Sequence, residues 1–139
     1  MADGYAELEQ DHRSIEQHFQ TLATDTESPV VRDLAELLTR HSQLEEAALY
    51  PALRRWVDGG DDLADRAQQE HSTIATMVAE LYQSVTPERL GDLVASLQDV
   101  VSGHVAFEES EVFPAMRESG VDAEQMARSL QENQQRQAS

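Results

Sequence analysis

Apolar residues recur at three- and four-residue intervals along almost the whole chain, and two-residue alternation is nowhere sustained, so the pattern predicts helices and no sheet. Leu8, Ile15, Phe19 and Leu22 mark a first helix over about residues 4–24, which stops in the polar run Thr24-Asp25-Thr26-Glu27. Ser28-Pro29 reads as the N-cap and first position of a second helix reaching about Val57, where Gly59-Gly60 ends it. Asp61 or Asp62 is the expected cap of a third helix extending to about Ser84. Thr86-Pro87 repeats the cap-plus-proline device for a fourth, which ends near Glu118 and is closed by Gly120. Asp122 opens a short fifth helix holding Val121, Met126 and Leu130, and the glutamine-rich stretch beyond it has too little apolar content to stay folded. Four long helices joined by short connections predict an all-α, antiparallel up-down four-helix bundle over residues 1–120, with residues 121–139 as a short C-terminal helix and disordered tail.

An internal repeat lies on top of this periodicity. Gln10-Asp11-His12-Arg13-Ser14-Ile15 matches Gln69-Glu70-His71-Ser72-Thr73-Ile74. Further on, the segment from His41 through Glu45, Glu46, Tyr50 and Pro51 to Leu53 matches that from His104 through Glu108, Glu109, Phe113 and Pro114 to Met116. The bundle is therefore two copies of one helical hairpin. Its histidines are 29 residues apart in the first copy and 33 in the second, which places four extra residues in a loop or an added turn. Histidine is the element that all four positions share.

Composition narrows the chemistry. With 139 residues the chain is about one domain, and roughly two thirds of its unfolded surface can be buried. The 27 acidic residues against 10 basic ones give a net charge of −17, a field that repels phosphate backbones and anionic lipid, so neither nucleic acid nor a membrane is an expected partner. Cysteine is absent, which excludes disulfides, thiolate metal sites and cysteine nucleophiles together. Any metal must then sit on nitrogen and oxygen. No signal-like N-terminus and no run of 18 apolar residues is present, and the expected location is the cytoplasm.

Within each H-x-x-x-E the two side chains lie about 6 Å apart along the helix and roughly 40° apart around it, so both can reach one centre. Four inward histidines and two carboxylates, from His12, His41, Glu45, His71, His104 and Glu108, are enough to hold two metal ions. A lone buried histidine is usually a core residue bonded to a backbone carbonyl. Four at repeated positions are not, because burying them with two carboxylates costs several kcal/mol of desolvation unless a dense network or a metal compensates.

On these residues the chain resembles the hemerythrin family, in particular the bacterial hemerythrin-like domains with the pattern H, H-x-x-x-E, H, H-x-x-x-E. The resemblance covers about residues 8–118. It implies an oxo- or hydroxo-bridged pair of iron ions, with His12 and His41 on one, His71 and His104 on the other, and Glu45 and Glu108 spanning both. The oxygen carriers of that family have a fifth histidine on the third helix, but the positions four either side of His71 are Ala67 and Ala75. Tyr50, Glu46 and Glu109 are the candidates to replace it. Tyr50 breaks the repeat, standing opposite Phe113, and phenolate is a good ferric ligand. In a regular helix, nine positions after His41, it faces away by about 180°. Only a local bulge brings it inward, a distortion that Pro51 favours. Glu109 competes with Glu108 as the bridging carboxylate. Glu46 and Glu109 are otherwise solvated or contact the ligands from outside.

Asp11 and Glu70, each beside a histidine, point mainly to solvent on helical geometry, with orientation of a neighbouring imidazole as the lesser reading. His18 faces away from His12, and Glu16 is a weak extra donor because its counterpart is Ala75. Ile15, Leu44, Ile74 and Phe107, each three residues after a histidine, are the expected apolar wall. Gly103 is either a close-approach position or an ordinary helix glycine. Bridging carboxylates with spare coordination positions favour a redox pair over closed tetrahedral zinc, and the nitrogen-rich donor set differs from the carboxylate-rich ferritin-like centres. The expected small-molecule partners are hydrogen peroxide, dioxygen or nitric oxide. Catalase-like peroxide disproportionation is the first expectation, since a missing ligand admits peroxide; reversible dioxygen or nitric oxide binding as carrier, store or sensor is the alternative.

Overall fold

A computed structural model describes residues 1–24, 28–83 and 86–138. Helices α1 (Gly4–Thr24), α2 (Ser28–Leu44), α3 (Tyr50–Trp56), α4 (Gly60–Leu81), α5 (Pro87–Phe107), α6 (Phe113–Glu118) and α7 (Ala123–Ala138) account for nearly all of them. Two five-residue π-helical turns, Glu45–Leu49 and Glu108–Val112, join α2 to α3 and α5 to α6, so that each pair is one long rod. The result is the expected all-α bundle of four rods. Among the described residues there is no strand, and no helix is long and apolar enough to cross a membrane.

The rods alternate in direction, and the core shows it. One apolar cluster takes Tyr5 and Leu8 from the start of α1, Ala64 and Ala67 from the start of α4, but Leu44–Leu53 and Phe107–Met116 from the ends of the other two rods. The second cluster takes Ile15, Phe19 and Leu22 from the end of α1 and Ile74, Val78 and Leu81 from the end of α4, against Val31–Leu38 and Leu93–Val101 from the starts of the other two. Antiparallel rods are the arrangement that brings those ends together. All four histidines of the repeat lie at the level between the two clusters, flanked by apolar layers on both sides.

Several ends follow their expected caps. Thr86 accepts from the Arg89 amide at 3.2 Å, and Asp122 and Gln125 cap one another reciprocally at 2.8 and 3.2 Å. The third expected cap is corrected: α4 starts at Gly60 behind Gly59, whose φ of 75° closes the turn, and Asp61 and Asp62 sit inside the first turn, where they complement the helix dipole. That helix ends at Leu81; Ser84 and Asp25–Glu27 lie outside the described residues, as does the side chain of Ser28.

The glutamine-rich tail, expected to be unfolded, is helical through Ala138. Three apolar anchors suffice: Met126, Ala127 and Leu130 are buried, with Met126 and Leu130 in the same cluster as Tyr5 and Leu8. The rest of α7 is mainly Gln, Glu, Arg and Ala, which are strong helix formers. The Tyr5 hydroxyl donates to the Val121 carbonyl at 2.8 Å and ties the incoming loop to α1. Gly4 permits the closeness, since a Cβ there would lie 2.6 Å from the Ala127 nitrogen and the Met126 carbonyl carbon. By contrast, Gly103 faces open space and is an ordinary helix glycine. Gly4→Ala is therefore expected to destabilise the fold by about 1–3 kcal/mol by pushing α7 off α1; urea unfolding that differs from wild type by less than about 0.5 kcal/mol would refute the close docking.

Candidate metal centre

The six side chains of the repeated motifs converge. Among the described residues, His12, His41, Glu45, His71, His104 and Glu108 are the buried polar ones, all at 5% exposure or less. They form two groups, His12–His41–Glu45–Glu108 and Glu45–His71–His104–Glu108, within each of which the donor atoms lie within 4.8 Å of one another. The two glutamates belong to both groups. Glu45 turns Oε2 toward His41 Nε2 (3.3 Å) and His12 Nε2 (3.9 Å), and Oε1 toward His71 Nε2 (3.2 Å) and His104 Nε2 (3.8 Å). Glu108 places Oε1 3.1 Å from His12 Nε2 and Oε2 3.4 Å from His104 Nε2. Each carboxylate thus spans the two halves, as a bridge between two cations would.

Each imidazole is held from outside by a carboxylate on its Nδ1: Glu109 on His12 (2.7 Å), Asp11 on His41 (3.0 Å), Glu46 on His71 (3.3 Å) and Glu70 on His104 (2.7 Å). This corrects the expectation that Asp11 and Glu70 point to solvent, because each reaches the histidine of the neighbouring rod rather than the one beside it in sequence. It also settles Glu46 and Glu109 on the outer ring nitrogens, leaving Glu108 as the carboxylate inside. A carboxylate on Nδ1 fixes the proton there and turns the Nε2 lone pair inward. Arg13 pairs with Glu109 and Arg66 with Glu70, Arg66 also stacking 3.9 Å over the Phe107 ring. The sequence held a signal for all four: an acid before the first histidine and five residues after the second, in both copies.

Tyr50 arrives by the bulge that its position requires. In the π turn its amide donates to the carbonyl of Glu45, five residues back, and Pro51 follows it. The extra residue in the turn rotates the ring inward. The hydroxyl donates to Glu108 Oε2 at 2.6 Å and lies 3.0 Å from His71 Nε2 and 3.3 Å from Glu45 Oε1. Phe113, its counterpart after the second π turn, stacks on His12 with centroids 5.8 Å apart and planes 10° apart. His18 and Glu16 stay outside the cluster: His18 bonds the Ser14 carbonyl and Glu16 pairs with Arg13. Ile15, Leu44, Ile74 and Phe107 are all buried around it.

As a set of donors the cluster lacks a positive partner. With protons fixed on Nδ1, the Nε2 atoms of His71 and His104 bring two lone pairs within 3.0 Å. His41 Nε2 and Glu45 Oε2 are buried and misaligned, so neither has a hydrogen-bond partner. Atoms of this kind in a native interior call for an explanation, and a cation supplies one. The chemistry of the donors therefore fits a metal pair. Without one, protons take the cation's place. Burial pulls the His41 pKa down, but the charge of Glu45 and the bond to Asp11 outweigh it and push it up to about 10. His104 behaves alike, rising to about 11 against burial because the carboxylates of Glu108 and Glu45 lie beside it. Burial raises the Glu45 carboxyl, yet the charge of His41 and the imidazoles of His104, His41 and His71 around it hold it well below the usual range. The Tyr50 hydroxyl is pushed up by burial and by the charges of Glu45 and Glu108.

Residues 3–116 match the Hemerythrin HHE cation binding domain, and the chain belongs to that family. With its buried His/Glu cluster, membership suggests a metal-binding site. Among curated proteins the chain is 33% identical over 82 residues to a protein named DNA nickase from Nostoc sp. (strain PCC 7120 / SAG 25.82 / UTEX 2576). That match takes in 58% of this chain and 22% of the relative. No solved structure matches the chain significantly.

For the metal-free protein the raised histidines set the pH response. Their stabilisation is fully present below the unfolded value of 6.5 and is lost as pH climbs toward about 10 and 11. The Glu45 contribution has the opposite sense, being present above 4.5 and lost on acidification. Chelator-treated protein should therefore show urea midpoints that are highest between these two values and fall from neutral to alkaline pH, while metal-loaded protein lacks the alkaline fall. A rising midpoint for the chelated protein between neutral pH and pH 9 or so would contradict the arrangement.

Proposed function

We propose that the protein is a hemerythrin-type di-iron protein that disproportionates hydrogen peroxide to water and dioxygen. In this reading His12 and His41 would hold one iron and His71, His104 and Tyr50 the other, with Glu45 and Glu108 as ligands that both could share. A bound iron pair supplies the two-electron change that each half of the disproportionation needs.

The observation that carries the reading is Tyr50, delivered by the π turn to within 3.0 Å of His71 Nε2 on the side where the fifth histidine of the oxygen carriers is missing. Its phenol replaces a neutral imidazole by an oxygen that favours the ferric state, which disfavours a carrier that must stay reversibly ferrous. The chain's own groups do the rest. Asp11, Glu46, Glu70 and Glu109 orient the imidazoles. The Tyr50 hydroxyl is positioned by its hydrogen bond to Glu108 Oε2, and Ile15, Leu44, Ile74 and Phe107 keep bulk water out and restrict access to small molecules. The relative's name concerns a protein of which this chain matches only 22%, and the charge of −17 weighs against a polyanionic partner for this chain.

Iron-loaded protein mixed with hydrogen peroxide under an oxygen electrode should evolve dioxygen through many turnovers. A reversible dioxygen or nitric oxide adduct with no turnover would instead establish a binding protein. Tyr50→Phe should abolish a tyrosinate-to-iron charge-transfer band in the visible spectrum while iron is retained; an unchanged spectrum would remove Tyr50 from the coordination set.

A further inference from the structure

The geometry points to a cleft between α1, α2 and the C-terminal end of α7 as the way in for the small molecule, with Gln134 and Gln137 of α7 as its cover. The inference rests on the di-iron reading above. Counting side-chain donors, an iron at His71 and His104 would be offered five with Tyr50, whereas one at His12 and His41 would be offered four, because Phe113 presents a ring without a donor atom. The less saturated position therefore lies on the His12–His41 side. The two buried polar atoms without partners, His41 Nε2 and Glu45 Oε2, also lie there.

Among the described residues, clefts reach the cluster from outside on two sides. One, of about 230 Å³, ends on His71 between α2 and α4 and is narrowed by Leu38, Ile74 and Val78. The other, of about 490 Å³, ends on His41 and Asp11 and is walled by Leu37, Arg40, Gln134 and Gln137. The larger one leads to the less saturated side.

The part of α7 that covers this cleft lies beyond the apolar anchors Met126 and Leu130, and α7 as a whole lies beyond the matched residues 3–116. Gln134 and Gln137 are exposed and uncharged. They close the mouth without the field that further carboxylates would add, which suits a small neutral molecule such as hydrogen peroxide. The cover belongs to this chain's own extension of the bundle.

Azide association with the full-length iron-loaded ferric protein, followed by stopped-flow absorbance, tests this. A side chain that only blocks the way should slow association and dissociation together and leave azide Kd and the resting spectrum unchanged. Gln134→Trp is expected to lower both rates about tenfold, and Gln134→Ala to raise both. Ala75→Leu, in the cleft that ends on His71, should leave them unchanged. Unaltered rates in Gln134→Trp, a change in Kd without a change in association rate, or slowing by Ala75→Leu alone would overturn the assignment. Azide kinetics that respond as expected in a protein that evolves no dioxygen would retain this access route and reject the peroxide reading; a chain that takes up no iron would reject both.

Discussion

Six buried nitrogen and oxygen donors face one another at the middle of the bundle with no internal counterion, and that repulsion is the constraint on which the rest of the structure turns. Taking an ionised group out of water costs several kcal/mol even after relaxation, and two carboxylates bear that cost here. The inward imidazole lone pairs cannot offset it among themselves. A cation pair, or protons in its stead, reconciles the cluster with its apolar surroundings. The two apolar layers above and below raise the stakes, because they exclude the water that would otherwise solvate the donors.

Around that core the repeat builds near-symmetry and then breaks it at one residue. Each copy supplies a histidine on its first helix, an H-x-x-x-E on its second, a π turn starting at the glutamate, and an aromatic-proline pair after it. The π turn has the same consequence twice: it rotates the aromatic ring onto a histidine. In one copy the ring is Phe113, which stacks and can do no more; in the other it is Tyr50, which adds a hydroxyl between His71 and Glu108. One oxygen atom thus makes the two halves chemically different. The outer carboxylates repeat the theme, with all four imidazoles held but only Glu109 and Glu70 clamped by arginine.

Much of this was legible in the residues themselves. Helix number and type, the two-copy organisation and the six inward positions follow from periodicity and repeat, since a 3.6-residue period fixes which side chains share a face. The inward turn of Tyr50 was only half legible. Regular geometry places it on the far face, and Pro51 signals that the geometry is not regular without saying how far the ring rotates. The roles of Asp11 and Glu70 were misread, because a helical wheel shows direction around one helix and not what the next helix brings to meet it. The fate of residues 131–138 was misread for a related reason: their composition is that of a solvated tail, and only docking of Met126 and Leu130 on α1 makes a helix of them.

The sequence by itself determined the helices, their apolar faces and the chemical identity of the donors, all of which depend on residue type and on spacing within one segment. Only the tertiary structure decided which carboxylate meets which imidazole, that Glu45 and Glu108 each face both halves, and that α7 lies over one side of the cluster. Those are relations between segments far apart in the chain, set by rod packing at the level of individual side chains, and no local periodicity encodes them.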